Sequence, residues 1–158
     1  MASQKITPFL WFDTRAEEAA QFYTSIFKNS KILQVSRYGD AGPGPKGSVM
    51  VVSFQLAGQE FTALNGGPRF TFSEAFSFVV NCENQQEIDE YWSKLTADGG
   101  QESMCGWLKD KFGFSWQIVP TELGKLMSNK DPQKSGRVMD ALLKMRKLDI
   151  AKLKAAAA

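Results

Sequence analysis

Few side chains in this sequence have the type and spacing to do chemistry, and none of them is a histidine. Without imidazole there is no Ser-His-Asp triad, no Cys-His dyad and no His-bearing zinc site. Cys105, beside Gly106, is the one candidate nucleophile, but no histidine is present to take its proton. Cys82 and Cys105 are too few for a disulfide framework and read as free structural thiols suited to a reducing compartment. Lys109, Asp110 and Lys111 fall together in a turn, where charges are ordinarily solvated. Glu60 and Glu102 could act as bases only if burial raised their proton affinity. Gln117 is the polar group with the clearest placement. It sits in a strand where Phe114, Trp116 and Ile118 alternate with Ser115, Gln117 and Val119, so its amide lies on the face opposite Trp116.

Gly106–Pro120, GWLKDKFGFSWQIVP, is a strand, charged turn and strand ended by Pro120. Upstream of it the chain runs through one pattern twice. Lys5–Phe12 reads as a short strand with Pro8 near its start, and Thr14 with Glu17 has the form of a capping box. Ala16, Ala19, Ala20, Tyr23, Ile26 and Phe27 then make one helical face. Strands over Ile32–Tyr38, Ser48–Leu56 and Gln59–Asn65 follow, with GDAGPGPKG as a loop and Ala57-Gly58 as a hairpin turn. The pattern restarts with a strand at Phe76–Asn81. Asn84 caps a helix three residues before Glu87, Ile88, Tyr91, Trp92 and Leu95 form its apolar face, and Gln101–Cys105 is a weak strand before the closing hairpin. Phe22-Tyr23 and Tyr91-Trp92 stand 69 residues apart, as do Phe9 and Phe78. Two βαβββ modules follow from this, neither able to bury its sheet face alone.

The remaining sequence is of another kind. Residues 121–135 are polar and turn-rich, and 137–154 places Val138, Ala141, Leu142, Met145 and Leu148 on one face of an amphipathic helix. That helix either covers its own domain or reaches a partner subunit. Hydrophobic residues make up 43% and charged residues 23%, ordinary values for a globular chain. A net charge of +2 is too small for a nucleic-acid footprint. No apolar run has membrane-spanning length, and MASQKITPF lacks a signal-peptide core, so the expected compartment is the cytoplasm.

KITPFLWFDTRAEEAAQFYTSIF, GQEFTALNGGP and CGWLKDKFGFSWQIVP resemble the PhnB-like branch of the vicinal-oxygen-chelate superfamily, which also holds the glyoxalases, bleomycin-resistance proteins and extradiol dioxygenases. The resemblance implies an α+β fold of paired βαβββ modules forming a curved mixed-sheet cup, commonly as a homodimer. One domain is expected over 1–120, with modules at 5–67 and 75–120 and a helical extension over 121–158. Metal-bearing members place His, Glu or Gln ligands on inward positions of the first and last strands of each half. Carried onto this chain, those positions become Thr7 (or Ile6, in the register set by the offset), Asn65, Ser77 and Gln117. With no carboxylate, imidazole or thiolate among them, no metal is expected, and no cofactor either.

The branch also bears a demethylubiquinone methyltransferase label. A methyl donor calls for a glycine-rich turn between strand and helix, whereas GDAGPGPKG precedes a strand. The site expected here is therefore a neutral polar cup with an aromatic rim. Thr7, Phe9, Trp11, Tyr38, Asn65, Ser77, Trp107 and Gln117 are its ligand-binding residues, and its ligand is a small aromatic or amphipathic molecule. The competing expectation is an enzyme acting on a small metabolite through non-standard polar or metal catalysis, with Glu60, Glu102 or Asp110 as its carboxylate. Neither nucleic acid nor membrane is expected as a partner.

Overall fold

The turn at Ala57-Gly58 shows how local chemistry sets the architecture. Both residues have positive φ (48° and 85°), the paired left-handed conformation of a two-residue hairpin loop, and they join two antiparallel strands. In the computed structural model, which describes residues 4–158, the first three residues of the opening MASQKITPF stretch lie outside the described chain. The chain divides into two units, Met1–Thr71 and Phe72–Ala158.

The first unit is a βαβββ module: β1 (Phe9–Phe12), α1 (Ala16–Ile26), β2 (Lys31–Arg37), β3 (Val49–Leu56) and β4 (Gln59–Asn65). Its sheet order is β1-β4-β3-β2, with β1 parallel to β4 and the other pairs antiparallel. Alternation sends Leu10, Phe12, Val52, Phe54, Phe61 and Ala63 to one face, all buried. Helix α1 packs on this sheet through Ala16, Ala19, Ala20, Tyr23 and Ile26, and the run of alanines lets the backbone approach closely. The Phe54 and Phe61 rings stack at 5.6 Å between centroids beneath it.

The second unit repeats the order: β5 (Ser77–Cys82), α2 (Gln85–Thr96), a single 3-10 turn (Ala97–Gly99), β6 (Gln101–Glu102), β7 (Trp107–Lys109) and β8 (Ser115–Pro120). The sheet runs β5-β8-β7-β6, the same topology, with β5 parallel to β8. Ile88, Trp92 and Leu95 of α2 are buried, as are Cys82, Leu108, Trp116 and Ile118 of the sheet. The α+β fold of two like modules read from the sequence is the fold observed.

Several local expectations need correction. The first strand begins at Phe9, because Pro8 has no N–H to give a ladder, so Thr7 precedes the strand and is exposed. The Thr14 capping box does not form. Arg15 occupies the cap position but its side chain makes no capping bond, and Asn65 Oδ1 accepts instead from the Ala16 N–H at 2.8 Å. The Asn84 cap does form: Oδ1 accepts from Glu87 N–H at 2.9 Å, and the Glu87 carboxylate accepts from Glu83 N–H at 2.8 Å. Ser103 to Cys105 lie outside β6.

The single helix expected over 137–154 is two helices. After a short α3 (Leu123–Met127) come α4 (Pro132–Leu143) and α5 (Ile150–Ala157), broken over Lys144–Asp149. Asp149 starts α5 as an N-cap, its side chain accepting from Lys152 N–H at 3.0 Å, and Asp131 does the same for α4 with Pro132 at the first helical position. The chain therefore folds back. Val138, Leu148 and Leu153 form a small buried core with Leu123, Leu126, Leu142 and Met145 packed on it. Among the described residues, no helix is long and apolar enough to cross a membrane.

Candidate ligand-binding site

The second sheet carries the most coherent polar face. In β8 the buried positions Trp116 and Ile118 point toward α2, which leaves Ser115 and Gln117 on the opposite side. The register sets Trp107 across from Gln117, Lys109 across from Ser115, and Ser77 across from Ser115 on the other flank. Gln117 Nε2 donates to Ser77 Oγ at 3.0 Å. Ser77, Trp107 and Gln117, three of the eight expected site residues, are thus on one face.

Beside them is a cavity of ≈ 460 Å³ whose walls include Trp107, Lys109, Ser115, Met104, Cys105 and Glu74. Lys109 Nζ pairs with the Glu74 carboxylate at 2.5 Å, and the ammonium's hydrogen bond holds that carboxyl below its ordinary range. Ser115 is fully buried, and its Oγ has no hydrogen-bond partner among the described residues. Sequence reasoning missed Ser115 and Glu74, and set Lys109 aside as a solvated turn charge. The signal available for Ser115 was its parity with Gln117, two residues away on the same strand.

The other five expected residues lie in the first module and do not form one group. Phe9 (58% exposed) and Trp11 share the helix-free face of that sheet. Trp11 is held by its own loop, its Nε1–H donating to Gly67 O at 2.9 Å and its ring meeting Phe70 edge-on. Gly66 has to be glycine here, since a Cβ would come within 2.3 Å of the Trp11 ring.

Tyr38 and Asn65 lie apart from that face. Asn65 turns to the helix side to cap α1, and Tyr38, beyond the second of two register shifts in β2, is buried with its hydroxyl donating to Asn65 O at 2.6 Å. Both line a different cavity, of ≈ 410 Å³, with Asp13, Thr14, Glu17 and the 43–45 loop.

The expected carboxylates differ in their surroundings. Glu60 is exposed at the β3–β4 hairpin. Glu102 lines the cavity of the second module, with Oε1 accepting from Trp92 Nε1–H at 2.7 Å. Asp110, read from sequence as a solvated turn charge, is 2% exposed. Its carboxylate accepts from Phe112 N–H (2.8 Å), Phe114 N–H (3.1 Å) and Trp116 Nε1–H (2.8 Å), so burial is offset by three donors. Cys82 is buried, and that burial, with Glu87 and Glu83 adding, pushes its thiol up to about 12. Its thiol is not the nucleophilic form at neutral pH.

A metal of the kind that the superfamily carries does not fit this donor set. Gln117 is bonded to Ser77, Asn65 is spent on a helix cap, and no group of three His, Cys, Asp or Glu among the described residues could hold an ion. The glycine-rich loop, too, joins β2 to β3 and opens no helix.

Comparison with known proteins places this geometry. The structure matches the PhnB protein from Bacillus cereus with a TM-score of 0.68 and 44% identity, over 75% of this chain and 100% of that one. It also matches a Pseudomonas aeruginosa protein (TM-score 0.62, 20% identity, 75% and 98% coverage). A third match is the fosfomycin resistance protein FosX from Listeria monocytogenes (TM-score 0.53, 16% identity, 79% and 98% coverage). The last two are alike in fold alone. No curated protein matches the chain. The family model described as 3-demethylubiquinone-9 3-methyltransferase matches residues 4–119, and the chain belongs to that family, the PhnB-like branch of the vicinal-oxygen-chelate fold.

Proposed function

We propose that this protein binds a small amphipathic or aromatic molecule without a metal, on the helix-free face of its second sheet. The observation that carries this reading is the cavity beside Trp107. It is of ligand size, with a broad aromatic ring, apolar Met104 and a few polar groups, the composition of small-molecule sites. The Ser77–Gln117 pair on the same face supplies an amide held in a fixed orientation. In the first module, Phe9 and Trp11 form a separate aromatic surface on the helix-free face of their own sheet. The family's methyltransferase description does not enter it, because the glycine loop leads into a strand.

Native mass spectrometry of the purified protein, with metal analysis of the same sample, tests the reading. A homodimer retaining a small organic adduct and no stoichiometric metal is the expected result. Gln117→Ala should release that adduct and cost the fold no more than its one hydrogen bond to Ser77, about 1 kcal/mol. A stoichiometric metal, or an adduct held equally well by the variant, would sink the proposal.

A further inference from the structure

The cavity beside Trp107 contains two donors with unequal partners. Ser115 Oγ is fully buried and unpartnered among the described residues, an arrangement that native structures seldom leave unexplained. Lys109 is its direct register partner across the antiparallel β7–β8 ladder, so the two side chains leave the sheet side by side on one face. A hydroxyl with its proton to donate and an ammonium together call for an acceptor oxygen, and an anionic one best.

The present partner of Lys109 is the carboxylate of Glu74, itself 63% exposed at the side chain and borne on the segment between β4 and β5. An exposed pair of this kind is weak and readily exchanged. The other charged wall residue, Glu102, is already engaged by the Trp92 indole and lies 3.9 Å from the Arg146 guanidinium, so its charge is compensated.

We propose that this cavity takes a small aromatic carboxylate. One carboxylate oxygen accepts from Ser115, the charge replaces Glu74 as the counterion of Lys109, and the ring lies along Trp107. Glu74 is then a built-in competitor, a carboxylate of the chain occupying the place of a ligand's own. This names the ligand class for the site proposed above and rests on that reading.

The test is a titration of the full chain with benzoate, benzamide and benzylamine, followed through the Trp107 indole N–H resonance. Benzoate should bind tightest of the three. Glu74→Gln, a change at an exposed side chain, should tighten benzoate by about threefold, the size of one weak surface ion pair. Ser115→Ala should weaken benzoate by about fivefold, one hydrogen bond's worth, and should not lower the melting temperature, because the hydroxyl has no partner in the protein to lose. Benzamide or benzylamine binding as well as benzoate would overturn the carboxylate assignment and leave small-molecule binding standing. So would a Glu74→Gln protein whose benzoate midpoint stays put. Silence of the Trp107 resonance toward all three probes would overturn the assignment too, while the broader reading is decided separately, by the metal and adduct content of the purified protein and of Gln117→Ala.

Discussion

Asp110 has the clearest single-residue energetics in the chain. Its carboxylate satisfies two backbone donors of the 110–114 turn and the indole of Trp116, and so fixes β7 to β8 at the point where Lys109 and Ser115 leave the sheet. Truncation would remove the carboxylate that accepts from the buried Phe114 amide and the Trp116 indole. Asp110→Ala should therefore destabilise the protein by about 3 kcal/mol, measured by urea unfolding followed through tryptophan fluorescence. Asp110→Asn is the informative companion, because its amide N–H2 would face a donor and the stability should fall nearly as far. A loss below about 1 kcal/mol for both would show that the turn is held by something else. Gly113, with φ at 82°, closes the same turn in the left-handed region where glycine is strain-free.

At the scale of elements, the first helix is started by a residue 49 positions away. Thr14 had the right type and spacing for a local cap, yet α1 takes its acceptor from Asn65 at the end of β4, whose Nδ2 also donates to Val49 O at 3.2 Å. Asn65→Ala should cost about 1–2 kcal/mol by chemical denaturation and Thr14→Ala less than about 0.5 kcal/mol; the reverse order would restore the local cap. This is where legibility in the sequence ended. Alternation in β8 was legible because one face must be buried: it separated Gln117 from Trp116, and the repeat it belonged to gave both modules. Asn84 was legible because its partner lies three residues on. Asn65 was assigned to an inward site because strand parity says which face a residue takes but not which element waits there. Asp110 escaped because a charge in a turn looks the same whether water or three protein donors surround it. The register shifts in β2 moved Tyr38 by a mechanism with no sequence signature of its own.

For the molecule as a whole, the family match ends at residue 119, whereas the chain continues through three more helices. Those helices are tied into the second module at defined points. Gln85 grips the α4–α5 connection from both ends of its amide, Nε2 donating to Leu148 O at 3.0 Å and Oε1 accepting from Ile150 N–H at 2.9 Å. Cys105 and Gly106 donate their N–H groups to Met145 O (2.7 Å) and Arg146 O (2.8 Å), and Gly106 has no room for a Cβ between Ile118 O and Leu148. The extension thus supports a wall of the cavity, since Cys105 lines it. Its apolar residues Val138, Leu148 and Leu153 are consumed in a core of its own, not kept for another chain. Removing residues 121–158 should accordingly lower the melting temperature and loosen the Cys105 turn, seen as faster amide exchange at Cys105 and Gly106, and leave the oligomeric state by analytical ultracentrifugation as it is in the full chain. Gln85→Ala should reproduce the exchange effect alone, at about 1–2 kcal/mol. A truncated chain that keeps its protection at Cys105 and Gly106 but changes its assembly state would assign the helices to a subunit contact and remove them from the support of the site.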